Sequence, residues 1–114
     1  MNKKYDLEER TFQFAKACLA LVNKSSKTLV NVEISRQLIR SSGSVGANYI
    51  EANESLSKKD FIYRIKICRK ESKESGYWIR LLELEDQLNM EAEILTRESR
   101  ELTNIFGSIL RKTI

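Results

Sequence analysis

The first residues to consider as catalytic groups are carboxylates, because the sequence contains no histidine. Histidine is the usual general base near neutral pH and the commonest metal ligand. Glu71 and Glu74, like Glu51 and Glu54, are spaced so that each pair lies on one face of a helix, an arrangement common on solvated helices. Glu51 and Glu74 border apolar stripes, so they are predicted to accept hydrogen bonds from Asn48, serines or an arginine. Catalysis by these two carboxylates is the alternative interpretation.

The residue types in the sequence exclude several kinds of metal, cofactor and catalytic site. A di-iron helical bundle needs Glu-x-x-His pairs on facing helices, and the missing histidine removes that site. No glycine-rich phosphate loop or Ser/His/Asp set is present. Cys18 and Cys68 lack the clustered partners that a zinc site requires, so they are predicted to be small buried apolar residues. The sequence therefore predicts no enzyme activity, no metal, no cofactor and no small-molecule substrate.

The expected location is the cytoplasm. Two free thiols without a disulfide framework fit a reducing compartment. The N-terminal residues lack the apolar segment of a signal peptide, and the longest mostly apolar run, Ala17 to Val22, is too short to cross a bilayer. We therefore expect a soluble intracellular protein with no membrane association.

The elements that must position any site are predicted to be long helices. The 114 residues fit one domain, and they include no proline and only four glycines, the residues that break helices. Apolar spacing at three- and four-residue steps predicts four helices, at about 7–24, 32–55, 58–88 and 91–112. Asn31 is the expected N-cap of the second helix, and Ser57 with Asp60 forms a capping-box pattern before the third. The short connections imply an all-α, antiparallel up-down-up-down four-helix bundle over residues 1–114.

The third predicted helix has apolar residues on both sides. One stripe, including Phe61, Ile65 and Ile79, is sufficient for packing in a bundle. A second apolar group on the opposite side predicts a self-association surface, although long side chains that cover the flanks of the core would give the same pattern. Its members are Tyr63, Ile67, Tyr77, Leu81, Leu84 and Leu88.

Charge is divided along the chain. Residues 58–80 contain eight basic and three acidic residues, whereas residues 83–101 contain seven acidic and two basic ones. The basic block could bind phosphates, pair with the acidic block of a neighbouring subunit, or simply face solvent. The candidates for phosphate contact are Arg36, Arg40, Lys66, Arg69, Lys73 and Arg80.

The middle of the chain resembles a known family. Residues 40–52 read RSSGSVGANYIEA, residues 57–61 read SKKDF, residues 65–74 read IKICRKESKE and residues 77–82 read YWIRLL. These segments are similar to those of the four helix bundle proteins encoded in intervening sequences of bacterial 23S ribosomal RNA genes. The resemblance extends over nearly the whole chain, and Tyr49 departs from it, because the family often has isoleucine there.

The resemblance implies an antiparallel four-helix bundle that assembles into a homopentamer. It also implies kinship with the accessory variability protein of diversity-generating retroelements, a basic bundle that binds nucleic acid and a reverse transcriptase. The leading hypothesis is therefore a non-enzymatic oligomer that binds RNA or DNA through a basic helix surface. The alternative is an interaction scaffold or accessory subunit, whose charged and apolar surfaces serve only assembly or a protein partner such as a reverse transcriptase.

Overall fold

The computed structural model describes residues 3–114, with side chains from Leu7 onward. Four helices follow one another: α1 (Lys3–Lys24), α2 (Leu29–Asn53), α3 (Lys58–Leu81) and α4 (Asn89–Thr113). A single 3₁₀ turn, Asp86–Leu88, precedes α4. The described part of the chain measures 44 × 26 × 19 Å and contains no strand.

The helices pack side by side in chain order. α3 lies between α2 and α4 and contacts both extensively, α1 packs on α2, and a smaller contact between α1 and α4 closes the bundle. The predicted all-α, antiparallel four-helix bundle is confirmed.

The core is formed by the inward side chains of all four helices. Phe14, Leu38, Ile65 and Leu102 are almost completely buried. The rings of Tyr49 and Phe106 meet with centroids 5.9 Å apart. The core side chains are buried because apolar residues recur at helical spacing, and each helix therefore contributes one apolar stripe to the core.

Small residues in the middle of α2 allow its neighbours to approach closely. The helix passes through residues 41–47 without interruption. Ser41 Oγ lies 2.9 Å from Ser75 Oγ of α3. A Cβ added at Gly46 would lie 3.0 Å from Thr11 Oγ1 of α1. The weak helix propensity of this segment is therefore compensated by packing on both sides.

The start of α2 differs from the prediction. Thr28, not Asn31, caps the helix, and its Oγ1 accepts the backbone N–H of Asn31 at 3.1 Å. Asn31 is buried, and its Nδ2 donates to the carbonyls of Ser26 (3.0 Å) and Glu83 (2.9 Å). Its Oδ1 accepts the N–H of Glu83 at 2.8 Å. The N-cap prediction for Asn31 is wrong because this side chain joins the α1–α2 and α3–α4 connections instead. The cap at Ser57 is present, with Ser57 Oγ accepting from Asp60 N at 3.0 Å.

The end of α3 also differs. The predicted helix continues to Leu88, whereas α3 ends at Leu81 and Leu82 adopts an extended conformation. Both Leu82 and Leu88 are buried. Ending the helix lets the chain turn so that both leucines enter the core, and Asn31 provides hydrogen bonds for the freed backbone of Glu83.

Candidate nucleic-acid interface

The two carboxylates that border the apolar stripes lie on different helices, and neither is buried. Glu51 is exposed and Glu74 is partly exposed, whereas Glu71 is buried, with 5% of its surface accessible. The carboxylate of Glu71 lies 3.4 Å from the guanidinium of Arg40 on α2. The Nδ2 of Asn48 donates to the carbonyl and the hydroxyl of Ser44, both at 2.9 Å, and its Oδ1 accepts from Arg64 at 3.0 Å, so the prediction that it would donate to a carboxylate is wrong. Among the described residues, no group of three or more His, Cys, Asp or Glu side chains could hold a metal ion.

Four of the predicted phosphate-binding residues lie together along the edge of α3 that faces α4. Lys66, Arg69, Lys73 and Arg80 are all exposed and line a groove between the two helices. Their spacing of three, four and seven residues keeps them on one side of the helix. We call this feature the α3–α4 groove. It consists of three hollows that share lining residues, so it is continuous from Lys66 to Arg80.

Helix α4 contributes further basic residues that the sequence did not single out. Arg100 lines the groove opposite Arg80, and Arg97 lines both the end of the groove and a separate hollow between α1 and α4. The side chains of Arg69 and Arg111 both lie beside Gly107, where an added Cβ would be 3.6 Å from Arg69 Nε and 3.4 Å from Arg111 Nη1. The three hollows are lined by seven basic residues and by the acidic residues Glu74 and Glu93. The basic set is Lys66, Arg69, Lys70, Lys73, Arg80, Arg97 and Arg100.

The acidic residues of α4 mostly face the other way. Glu98 accepts two hydrogen bonds from Arg10 of α1, at 2.7 and 2.8 Å, and Glu101 accepts a third at 2.9 Å. These carboxylates raise the pKa of Arg10 further above its usual range. Glu91 pairs with Lys24 at 3.0 Å. Within residues 7–114, none of the seven basic groove residues forms such an ion pair. The groove therefore keeps its positive charge although α4 is rich in glutamate.

The other two predicted phosphate contacts lie outside the groove. Arg40 belongs to the α2–α3 side of the bundle, where it meets Glu71. Arg36 is exposed and lies one helical turn before Arg40 on the surface of α2. The structure therefore separates the six candidates into a group of four in the groove and a pair elsewhere.

The predicted second apolar face is only partly exposed. Tyr63, Tyr77 and Leu81 are 59%, 55% and 41% exposed, respectively. Ile67 is half-buried, and Leu84 packs against the core. The expectation that Leu88 lies on this face is wrong, because it is buried after the chain turns at Leu82.

A second exposed apolar strip lies where α1 meets α2. Its members are Phe12 and Leu19 of α1 and Ile39 and Ile50 of α2, each between 40% and 54% exposed. Helical geometry places all four on the outer side of the α1–α2 contact, which is marked by Thr11 against Gly46. In the sequence, the only sign of this strip is that large apolar residues lie on the outer sides of two helices. The strip becomes visible once these helices are known to pack against each other.

The two thiols lie in the core. Cys18 and Cys68 are free and fully buried, and the Sγ of Cys68 donates to the carbonyl of Val45 at 3.4 Å. Burial raises the pKa of each thiol to about 12. Thiolate chemistry is therefore suppressed at both residues.

The fold and the groove together define a class of protein: a small antiparallel four-helix bundle with a basic cleft between its last two helices. The model of the 23S rRNA-intervening sequence protein family matches residues 3–108. The chain belongs to this family. A solved structure from Bacteroides thetaiotaomicron VPI-5482, a protein of unknown function from the S23 ribosomal protein family, is similar, with 30% identity and a TM-score of 0.77. The similarity covers 96% of this chain and 99% of that one.

No protein with a curated description matches this chain. Among the helices of residues 3–114, none is long and apolar enough to cross a membrane.

Proposed function

We propose that this protein is a non-enzymatic bundle that binds RNA or DNA through the α3–α4 groove and acts as a homo-oligomer. The observation that carries the proposal is the concentration of seven basic side chains in one continuous groove that only two acidic residues share. Phosphate groups are the natural ligands of such a surface, because each basic contact releases a counterion from the nucleic acid. The family description, which refers to 23S rRNA, is consistent with a nucleic-acid partner.

Salt dependence provides the first test. If about four basic residues contact phosphates, affinity for a structured RNA should fall about a hundredfold between about 50 and 200 mM salt. Fluorescence anisotropy with labelled RNA measures this change. Absence of binding at low salt, or binding that salt does not weaken, would contradict the proposal.

Charge reversal locates the binding surface. Replacing Arg69 and Lys73 with glutamate changes two groove residues, and replacing Lys58 and Lys59 with glutamate makes the same charge change at the exposed start of α3. We expect the first double variant to lose binding and the second to lose only a small part of it, because net charge alone acts weakly over distance. Equal losses would show that the groove has no special role.

A scaffold function is the second candidate, favoured by the exposed apolar residues on α3 and along the α1–α2 strip. Tyr63, Tyr77 and Leu81 on α3, with Phe12 and Ile50 on the strip, are all more than 40% exposed. Such residues suit contacts with another copy of the chain or with a protein partner, for example a reverse transcriptase.

Light scattering distinguishes the nucleic-acid function from the scaffold function. If the Arg69 and Lys73 double variant loses its oligomeric state, the groove serves assembly, whereas an intact oligomer that no longer binds RNA supports the nucleic-acid function.

A further inference from the structure

We infer that the α3–α4 groove takes a single strand of nucleic acid, with one base stacked on Tyr77. The inference rests on the proposed function and names the form of nucleic acid that fits the groove. Its first support is the location of Tyr77. This residue lines the middle hollow together with Arg69, Lys73, Arg80 and Arg100. An exposed aromatic ring among unpaired cations is the combination by which proteins hold single strands, because every base has a face that stacks.

The width of the groove also favours a single strand. α3 and α4 touch at its floor, where Gly76 lies directly against Ser99 and a Cβ at Gly76 would overlap Ser99 Oγ. Helix axes in such contact are about 8–10 Å apart, so the hollow between them is narrower still. A duplex, whose major groove alone is about 12 Å wide, cannot enter this space and could touch only the rims.

The length of the groove suits a short segment. From Lys66 to Arg80, α3 rises about 21 Å, which corresponds to about six stacked nucleotides. Basic side chains are present along this whole length, at Lys66, Arg69, Lys73 and Arg80. Tyr77 lies between the last two of them on α3, so a backbone that follows the cations passes beside its ring.

The ring of Tyr77 is also held in place. Trp78 packs edge-on against it, with ring centroids 5.1 Å apart and an interplanar angle of 68°. Trp78 in turn packs against the core. A ring that is fixed before binding loses little conformational freedom on stacking, which increases its contribution to affinity. The exposed carboxamide of Asn104 lines the same hollow and can bond to a base edge or sugar without strong sequence preference.

Tyr63 provides a matched control for Tyr77. Both tyrosines are on α3 and are similarly exposed, at 59% and 55%, but only Tyr77 lines the groove. The experiment compares wild type, Tyr77→Leu, Tyr77→Phe and Tyr63→Leu as full chains. The probes are a labelled single-stranded RNA of about 12 nucleotides without self-complementarity, the DNA strand of the same sequence, and the duplex that each forms with its complement. Anisotropy gives the affinity, and light scattering gives the mass of each variant.

We expect Tyr77→Leu to weaken single-strand binding about 5- to 150-fold, the range of one base–aromatic stack, while Tyr77→Phe retains most of the affinity. Tyr63→Leu should change the affinity less than about twofold, and each duplex should bind more weakly than its single strand. A preference for RNA over DNA strands would assign the contacts partly to the 2′-hydroxyl, and equal affinities would assign them to phosphate and base alone. Either result is consistent with stacking on Tyr77.

Three outcomes would overturn the inference. If the duplexes bind more tightly and Tyr77→Leu has no effect, the groove does not select single strands, but the proposed function remains intact. A change of mass in Tyr77→Leu assigns this ring to assembly. Absence of binding to every probe overturns the inference, and the proposed function falls with it if the structured RNA also fails to bind at low salt.

Discussion

Replacing Gly76 with alanine tests whether close contact between α3 and α4 determines the stability of the bundle. Gly76 is buried in the middle of α3, and a Cβ at this position would overlap Ser99 Oγ on α4. Ser99 is itself 4% exposed and donates to the carbonyl of Thr96 at 2.7 Å. The new methyl group must therefore displace a buried hydroxyl or separate the two helices.

The expected change in the free energy of unfolding is the sum of two opposing effects. Alanine in a helix interior is favoured over glycine by about 1 kcal/mol. Overpacking a tight contact costs about 1–3 kcal/mol, and disturbing the hydrogen bond of Ser99 costs about 1 kcal/mol more. We therefore expect Gly76→Ala to lower the free energy of unfolding by about 1–3 kcal/mol. Gly43→Ala is the matched control, because Gly43 is exposed in α2 and a Cβ there meets nothing within 4 Å.

Urea unfolding followed by circular dichroism, at one fixed protein concentration, measures both changes. Gly43→Ala should raise the free energy of unfolding by about 1 kcal/mol, which corresponds to a rise in Tm of about 3–6 °C. The double variant Gly76→Ala with Ser99→Ala should recover at least half of the loss, since the overlapping hydroxyl is gone. If Gly76→Ala is as stabilising as Gly43→Ala, or if removal of the Ser99 hydroxyl recovers nothing, the close contact between α3 and α4 is refuted.

Three further predictions concern the ends, the core and the closing contact of the bundle. Asn31→Ala should lower the free energy of unfolding by about 2–4 kcal/mol in urea unfolding, because three hydrogen bonds are lost and buried backbone groups remain unpaired; a loss below about 0.5 kcal/mol would contradict this. Because the pKa values of Cys18 and Cys68 rise from 9.0 to about 12 on folding, stability should be complete below pH 9 and decline between pH 9 and 12, by up to about 2.7 kcal/mol per pH unit. The cysteine-free double variant should lose most of this decline in pH-dependent unfolding and keep the part that comes from Tyr49, whose pKa is also raised by burial. An unchanged profile would disprove the assignment to the thiols. Arg10→Met should cost about 1 kcal/mol at low salt and less at high salt, since this ion pair is partly solvated; a cost that salt does not change would rule out an electrostatic origin.

Part of the candidate site could be predicted from the sequence because the spacing of residues along a helix determines which side they share. Steps of three, four and seven residues separate Lys66, Arg69, Lys73 and Arg80, so helical geometry alone places them on one side of α3, where the structure has them. Which neighbour faces that side cannot be obtained from spacing. Arg97 and Arg100 occur in an acidic stretch, so their position at the groove became visible only when α4 was placed against α3.

The positions of the buried polar residues also could not be predicted from local sequence. Glu71 is the buried carboxylate, although Glu51 and Glu74 seemed closer to the apolar stripes. Asn31 resembled an N-cap in the local sequence, yet its side chain reaches a backbone that is 52 residues away along the chain. Local patterns report short-range preferences, whereas these two side chains respond to partners brought near by packing.

The fold class could be predicted from the amino-acid sequence alone. The absence of histidine and proline, with apolar residues at helical spacing, was enough to indicate a four-helix bundle and to exclude histidine-based sites, because these follow from residue types and from the period of a single helix. The distribution of charge on the surface, in contrast, depends on how the helices pack against one another. The antiparallel register of α4 turns Glu91, Glu98 and Glu101 toward α1 and leaves Arg100 beside α3, while Arg97 lines hollows on both sides of α4. A basic stretch and an acidic stretch of sequence thereby become a basic groove and a separate line of ion pairs, because charges interact through space and not along the chain.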